Sequence, residues 1–174
     1  MITLAEFSQT KIVNSAASPE VRRGICIALC DQWLSMILSN THRTPQERMD
    51  ALRTNVNRAM LYQKDYMTLR VALGRTEARR QAMAVLGLEG HQHPGVMRTS
   101  TGIDGMLDQM VADLDRPGAA ATWTMVVDGW GRHSIAGFWG LRSITHNVHA
   151  ASLHIFDPNV GEFTGELHQL RTMF

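Results

Sequence analysis

The chain of 174 residues carries 17 Lys or Arg against 16 Asp or Glu, a formal net charge of +1, and is 44% hydrophobic. That is enough chain for one domain with a real core, and the near-neutral balance gives no global push toward nucleic acid or a membrane. No apolar run approaches the roughly 20 residues that span a bilayer, and Met1 to Thr10 lacks the basic-then-apolar pattern of a classical secretory signal.

In chain order, the first 20 residues are mixed and polar, ending in Ser18-Pro19-Glu20, which reads as a helix cap, a first-turn proline and an early acid. Gly24 interrupts. Ile25 to Leu38 is then apolar nearly all round, the mark of a buried central helix. Whether Cys26 begins this helix or lies inside a longer one from Pro19 is open, and the glycine favours a fresh start. Thr44-Pro45-Gln46-Glu47 opens a second helical region, in which Met49, Leu52, Val56, Ala59, Met60 and Met67 recur at helical spacing. Another helix is predicted over Thr76 to Leu86, stopped at Gly87.

Residues 43–80 hold nine Lys or Arg against four Asp or Glu. Such a run reads first as a solvated helical face and second as a docking surface for an acidic partner or an anionic membrane. His91 to Gly95 reads as a loop and Gly102 to Leu114 as a short helix. The character then changes. Thr122 to Val127 is rich in β-branched residues, Asp128-Gly129 is a hairpin signal, and His133 to Trp139 reads as a second strand. Ala150 to Phe156 reads as a third, ended by Asp157-Pro158-Asn159, and Thr164 to Phe174 as helix or strand. Helices first and antiparallel strands last is an α+β pattern.

The two cysteines, Cys26 and Cys30, are one helical turn apart, with side chains poorly aimed for a disulfide and too few for a cysteine zinc site. What remains is one reactive thiol or two buried ones. A thiol becomes a good nucleophile as thiolate, which the partial positive charge of a helix N-terminus favours. Cys26 has that placement. Gly24 leaves room for a substrate backbone there, and Arg22 and Arg23 add positive field. Cys30, a turn deeper, reads as packing. His133 heads a strand and suits a base facing the thiol. Asp157, fixed by its turn, suits a group that orients the imidazole. Taken alone, Asp157 is a plain turn former and His133 could equally be a turn residue. His146, His149, His154 and Asp157 lack the spacing of a metal set.

These segments resemble the YopT/AvrPphB-type effector protease family, a branch of the papain-like superfamily. Gly24 stands two before the cysteine and Trp33 seven after it; His133 precedes a small and apolar strand. Phe156, Asp157, Pro158, Asn159 and Gly161 match the family's Phe-Asp-Pro-Asn-x-Gly turn, the most specific of the three stretches. The resemblance implies a papain-like fold, with a central nucleophile helix and other N-terminal helices packed on a C-terminal antiparallel sheet. It further implies a single domain over residues 1–174 with a helical elaboration at 43–115, and a thiol endopeptidase using Cys26, His133 and Asp157 through an acyl-enzyme. Gln9, in Phe7-Ser8-Gln9, looks like the family's oxyanion-hole element.

No cofactor, metal or nucleic acid is expected, and the oligomeric state is not legible. A protein substrate is expected, a host signalling protein on a resemblance to bacterial effectors, with a membrane-proximal target as an option. Export by a dedicated bacterial secretion system goes with that expectation. The connection from His133 to Asp157 is longer than the family pattern, which suggests a longer hairpin loop over Leu141 to His149 and leaves His146 and His149 as competing bases. Rival readings keep the triad for deamidation, transglutamination or cell-wall amidase chemistry, or make the chain a silent binding module on the same scaffold. The Ile25-Cys26-Ile27 context counts against a cell-wall amidase.

Overall fold

The computed structural model describes residues 2–13, 24–41, 44–89, 103–127, 131–145 and 148–165. The elements run β1 (Ile2–Glu6), α1 (Gln9–Val13), α2 (Cys26–Ser39), α3 (Pro45–Thr54), α4 (Val56–Leu73), α5 (Arg75–Val85) and α6 (Ile103–Asp113). They continue with β2 (Ala120–Val127), β3 (Gly131–Thr145), β4 (Val148–Asp157) and β5 (Gly161–Gly165). The strands form one antiparallel sheet in the order β1-β5-β4-β3-β2. This is a papain-like α+β arrangement.

Side-chain alternation gives the sheet two apolar faces. Ala136 and Phe156 belong to the larger core, with Ile25, Ala28, Leu29, Cys30 and Trp33 of the α2 segment. Ile135, Leu153 and Ile155 belong to a second core with Leu107, Met110 and Leu114, from α6 and the residue that follows it. Trp33 stacks on Phe156 with ring centroids 5.7 Å apart, and Phe7 meets the same ring edge-on at 5.8 Å. The all-round apolar character of α2 thus reflects enclosure, Cys26 to Leu34 being almost wholly buried.

Two buried charge networks fix α2 against its neighbours. Glu162 of β5 is fully buried. It accepts from Arg48 Nε of α3 at 2.8 Å and from the Trp33 indole at 2.8 Å, and hydrogen-bonds His154 Nδ1 at 3.0 Å. Asp31 of α2, also fully buried, pairs with Arg79 of α5 and accepts from the Tyr62 hydroxyl of α4 at 2.6 Å. Two of the nine basic residues of the run over 43–80, Arg48 and Arg79, are therefore committed inside the fold. Arg53 and Arg80 pair with Asp50 and Glu77 on the surface.

The opening residues, read as mixed and polar, form β1 and α1. β1 pairs with β5 from the other end of the chain, a partner that local pattern does not reveal. The region from Thr44 is two helices, the first closed by a reciprocal cap between Thr44 and Glu47. Within the expected long loop over Leu141 to His149, the described residues 141–145 and 148–149 are instead strand: β3 and β4 stay paired out to Thr145 and Val148. Ladder pairing satisfies backbone groups that a loop would leave to water, and Ile144, Thr145 and Val148 favour the extended state. The Pro19 helix start, the His91 to Gly95 loop, the Asp128-Gly129 turn and the tail after Gly165 lie outside the described residues. Among the described residues no helix is long and apolar enough to cross a membrane.

Candidate active site

The site forms where α2 begins and where β3 and β4 come to the same end of the sheet. α2 starts at Cys26, so the thiol is in its first turn, beside backbone amides without intrahelical acceptors. Gly24 holds φ +109°, a conformation that side-chain-bearing residues rarely adopt. Its requirement is conformational before it is one of substrate space. The Ile25 amide donates to Gln9 Oε1 at 3.3 Å, which ties the chain before the helix to the start of α1.

Asp157 ends β4, and the turn after it holds the carboxylate. Asn159 N donates to Asp157 Oδ1 at 2.7 Å, and Val160 N to the Asp157 carbonyl at 3.0 Å. Gly161 sits at φ +132° under β1; a Cβ there would lie 2.1 Å from the Ala5 carbonyl oxygen. The most specific stretch of the sequence is thus a turn whose acid is locked by backbone and whose glycine admits the edge strand. Gln9 seals it from the other side, its Nε2 donating to Asn159 Oδ1 at 2.9 Å and its amide to the Pro158 carbonyl at 2.7 Å.

His133 lies at the head of β3. Its Nε2 is 3.0 Å from Asp157 Oδ1, which leaves Nδ1 as the ring nitrogen for the interaction with Cys26. Burial works against charging His133, but the bonds and charges of Asp157 and Cys26 outweigh it and raise the imidazole to about 9. Burial likewise pushes the Cys26 thiol up; hydrogen bonds from His133 and Ser134 and the histidine's charge overcome it and hold the thiol below its ordinary value. The thiol's downward shift and the imidazole's upward shift share a cause, the interaction of each group with the other. The histidine and aspartate side chains keep 18% and 16% of their surface, so the pair stays open to solvent and protons.

Cys30 is fully buried, donates to the Ser134 carbonyl at 3.4 Å, and is pushed well above its ordinary value by burial. It is a neutral packing thiol. His149 lies far up β4, paired with Ser143. At about 3.4 Å per residue, the strand carries its backbone about 27 Å from Asp157, too far to join the cluster. His146, Arg22 and Arg23 lie outside the described residues. His154 is engaged by Glu162 and by Ser152 at 3.2 Å. The structure therefore brings together Cys26, His133, Asp157 and Gln9. Sequence reasoning passed over Ser134 and Glu162, both internal to strands where nothing local marks them.

The family described as Peptidase_C58, Yersinia/Haemophilus virulence surface antigen, matches residues 2–174. The crystal structure of the Pseudomonas avirulence protein AvrPphB is similar in fold, with a TM-score of 0.68 and 20% sequence identity over 94% of this chain and 86% of that one. No curated protein shows a match.

Proposed function

Because the chain belongs to the Peptidase_C58 family and is a cysteine peptidase, we propose that Cys26 is its nucleophile, His133 its base and acid, and Asp157 the group that orients the histidine. The observation that carries this is the Asp157–His133 hydrogen bond, with the histidine interacting with Cys26 at the start of a buried helix. The Cys26 thiolate adds to the scissile carbonyl, forming a C–S bond and a tetrahedral oxyanion. The imidazolium then gives its proton to the leaving amine as the C–N bond breaks. Water attacks the acyl-enzyme while His133 takes its proton, and the sulfur departs as thiolate. The Cys26 amide and the second Nε2 hydrogen of Gln9 serve the oxyanion; the first is committed to Asn159.

Residues 1–174 form one papain-like domain, with the helices in 43–115 as its elaboration. The substrate is a protein. A host signalling protein reached through a bacterial secretion system agrees with the virulence character of the family. Arg58, Lys64, Arg70 and Arg75 lie along α4 and α5 without an ion pair among the described residues, which suits an acidic or membrane-proximal target. Host-cell extract treated with the enzyme, followed by amine labelling of new N-termini and mass spectrometry, tests the reading. New termini are expected with the wild type and not with Cys26→Ala. Conversion of glutamine to glutamate without new termini would overturn cleavage in favour of deamidation.

A further inference from the structure

Gln9 is 7% exposed and lies where three segments meet: the start of α1, the chain entering α2 and the turn after β4. Two backbone bonds already join the first of these to the turn, Phe7 N to the Val160 carbonyl at 3.0 Å and Gln9 N to the Pro158 carbonyl at 2.7 Å. The Asn159 side chain is not needed for that. Nor does the backbone of the turn call for asparagine, since among the described non-glycine residues Asn40 alone has a positive φ. The Asp157 carboxylate is held by the Asn159 backbone amide, which any residue but proline would supply. What the Asn159 carboxamide itself does is accept from Gln9 Nε2 at 2.9 Å.

We propose that Asn159 is a positioning residue, its carboxamide oxygen fixing the plane of the Gln9 amide so that the second Nε2 hydrogen is held toward the oxyanion at Cys26. The polarity of this chain of bonds is set by one backbone group. The Ile25 amide only donates, so the Gln9 oxygen faces it at 3.3 Å; Nε2 then faces the turn, and Asn159 presents oxygen rather than nitrogen. The last torsion of a glutamine is soft, without sharp staggered minima. The bond to Ile25 alone leaves it free to swing, whereas bonds at both ends of the planar group fix the direction of its remaining hydrogen. An oxyanion donor is effective when it is aimed before the charge develops. Ile25 also precedes the nucleophile directly, and α2 has no side-chain cap of its own. One amide thus sets the acid turn against the start of the nucleophile helix. Asn159 is neutral, so it does this without adding a second charge to the Asp157 turn.

This rests on the triad and on Gln9 as oxyanion donor, and the test separates the three. kcat and KM are measured on a synthetic peptide spanning a cleavage site found by the terminal labelling above, for wild type, Gln9→Ala, Asn159→Ala, the double variant and His133→Ala. Cys26 alkylation by iodoacetamide is followed alongside, because displacement at the reagent's carbon forms no oxyanion. Gln9→Ala should lower kcat by about 10²- to 10³-fold, the usual cost of one oxyanion donor. Asn159→Ala should lower kcat by about tenfold with KM unchanged, as for a misaimed group, and should cost nothing further once Gln9 is alanine. Its alkylation rate and pH midpoint should stay at the wild-type values. If Asn159→Ala fails to fold, Asn159→Ser, a turn former too short to reach Gln9, takes its place. Full kcat in the folded variant, a loss that adds to that of Gln9→Ala, or a shifted alkylation midpoint would overturn the role of Asn159 alone. Unchanged kcat in Gln9→Ala would remove the oxyanion donor and this proposal with it; unchanged kcat in His133→Ala would remove the triad.

Discussion

Two regions of the molecule each join an acid to a base, and they differ in what surrounds the pair. At the sheet end, His133 and Asp157 retain 18% and 16% of their side-chain surface. In the networks that hold the helices, Glu162 of β5 and Asp31 of α2 retain none, and their arginines 4% and 15%. The half-buried pair keeps contact with solvent, so its charge state can change. The buried pairs cannot change state without leaving a bare charge in a low-dielectric interior. Under the proposed triad, the same kind of contact is machinery in one place and scaffold in the other, and the exposure of the carboxylate distinguishes them.

Substitutions on either side sharpen that division, taken here from the largest expected effect downward. His133→Ala should leave the fold intact and lower kcat/KM by about 10²- to 10⁴-fold, the usual range for losing general acid–base catalysis. Steady-state kinetics on a cleaved host peptide, together with a thermal melt, checks both halves. Arg48→Ala does the opposite: stripping the partner from buried Glu162 should cost about 3–5 kcal/mol in a denaturant titration. Burial tends to raise Glu162, but its bonds to His154, Arg48 and Trp33 hold it below its ordinary value. Its contribution to stability is thus present above the unfolded carboxylate range and lost as pH falls through the lowered folded value. An acid titration should therefore unfold Arg48→Ala at higher pH than wild type.

Asp157→Asn keeps a polar partner for the ring but removes the charge. A fall in kcat/KM of about tenfold or more is expected, with the fold unchanged. His133 holds its proton up to about 9 against the effect of burial, owing in large part to Asp157. The alkaline limb of the wild-type pH profile is accordingly expected near 9 and should move down in Asp157→Asn. Arg80→Ala breaks an exposed pair with Glu77 and should leave both the melt and the kinetics where they were. A large loss there would blur the division between buried and open pairs.

The turns that shape the candidate site were legible because their constraints are local. A glycine with φ +109° before the cysteine, and a turn whose aspartate caps its own backbone, write themselves into short stretches. Helix and strand types followed from periodicity, since each apolar face answers one layer of the two-sided sheet. What was not legible is long-range. Nothing in Ile2–Glu6 announces that β5 is its partner, nor does Arg48 announce Glu162. In the basic run over residues 43–80, nothing local marks Arg48 and Arg79 as the two that turn inward. The connection from His133 to Asp157 suggested a loop because its excess length does not show that two strands lengthen in register.

The central claim is that Cys26 rests as a thiolate held by His133, and the pH dependence of Cys26 alkylation in wild type and His133→Ala tests it most directly. The wild type should label rapidly at neutral pH, with a midpoint below that of a free thiol, as the lowered Cys26 value requires. His133→Ala should move that midpoint upward. Labelling of wild-type Cys26 no faster than a model thiol, with no change on removing His133, would contradict the account.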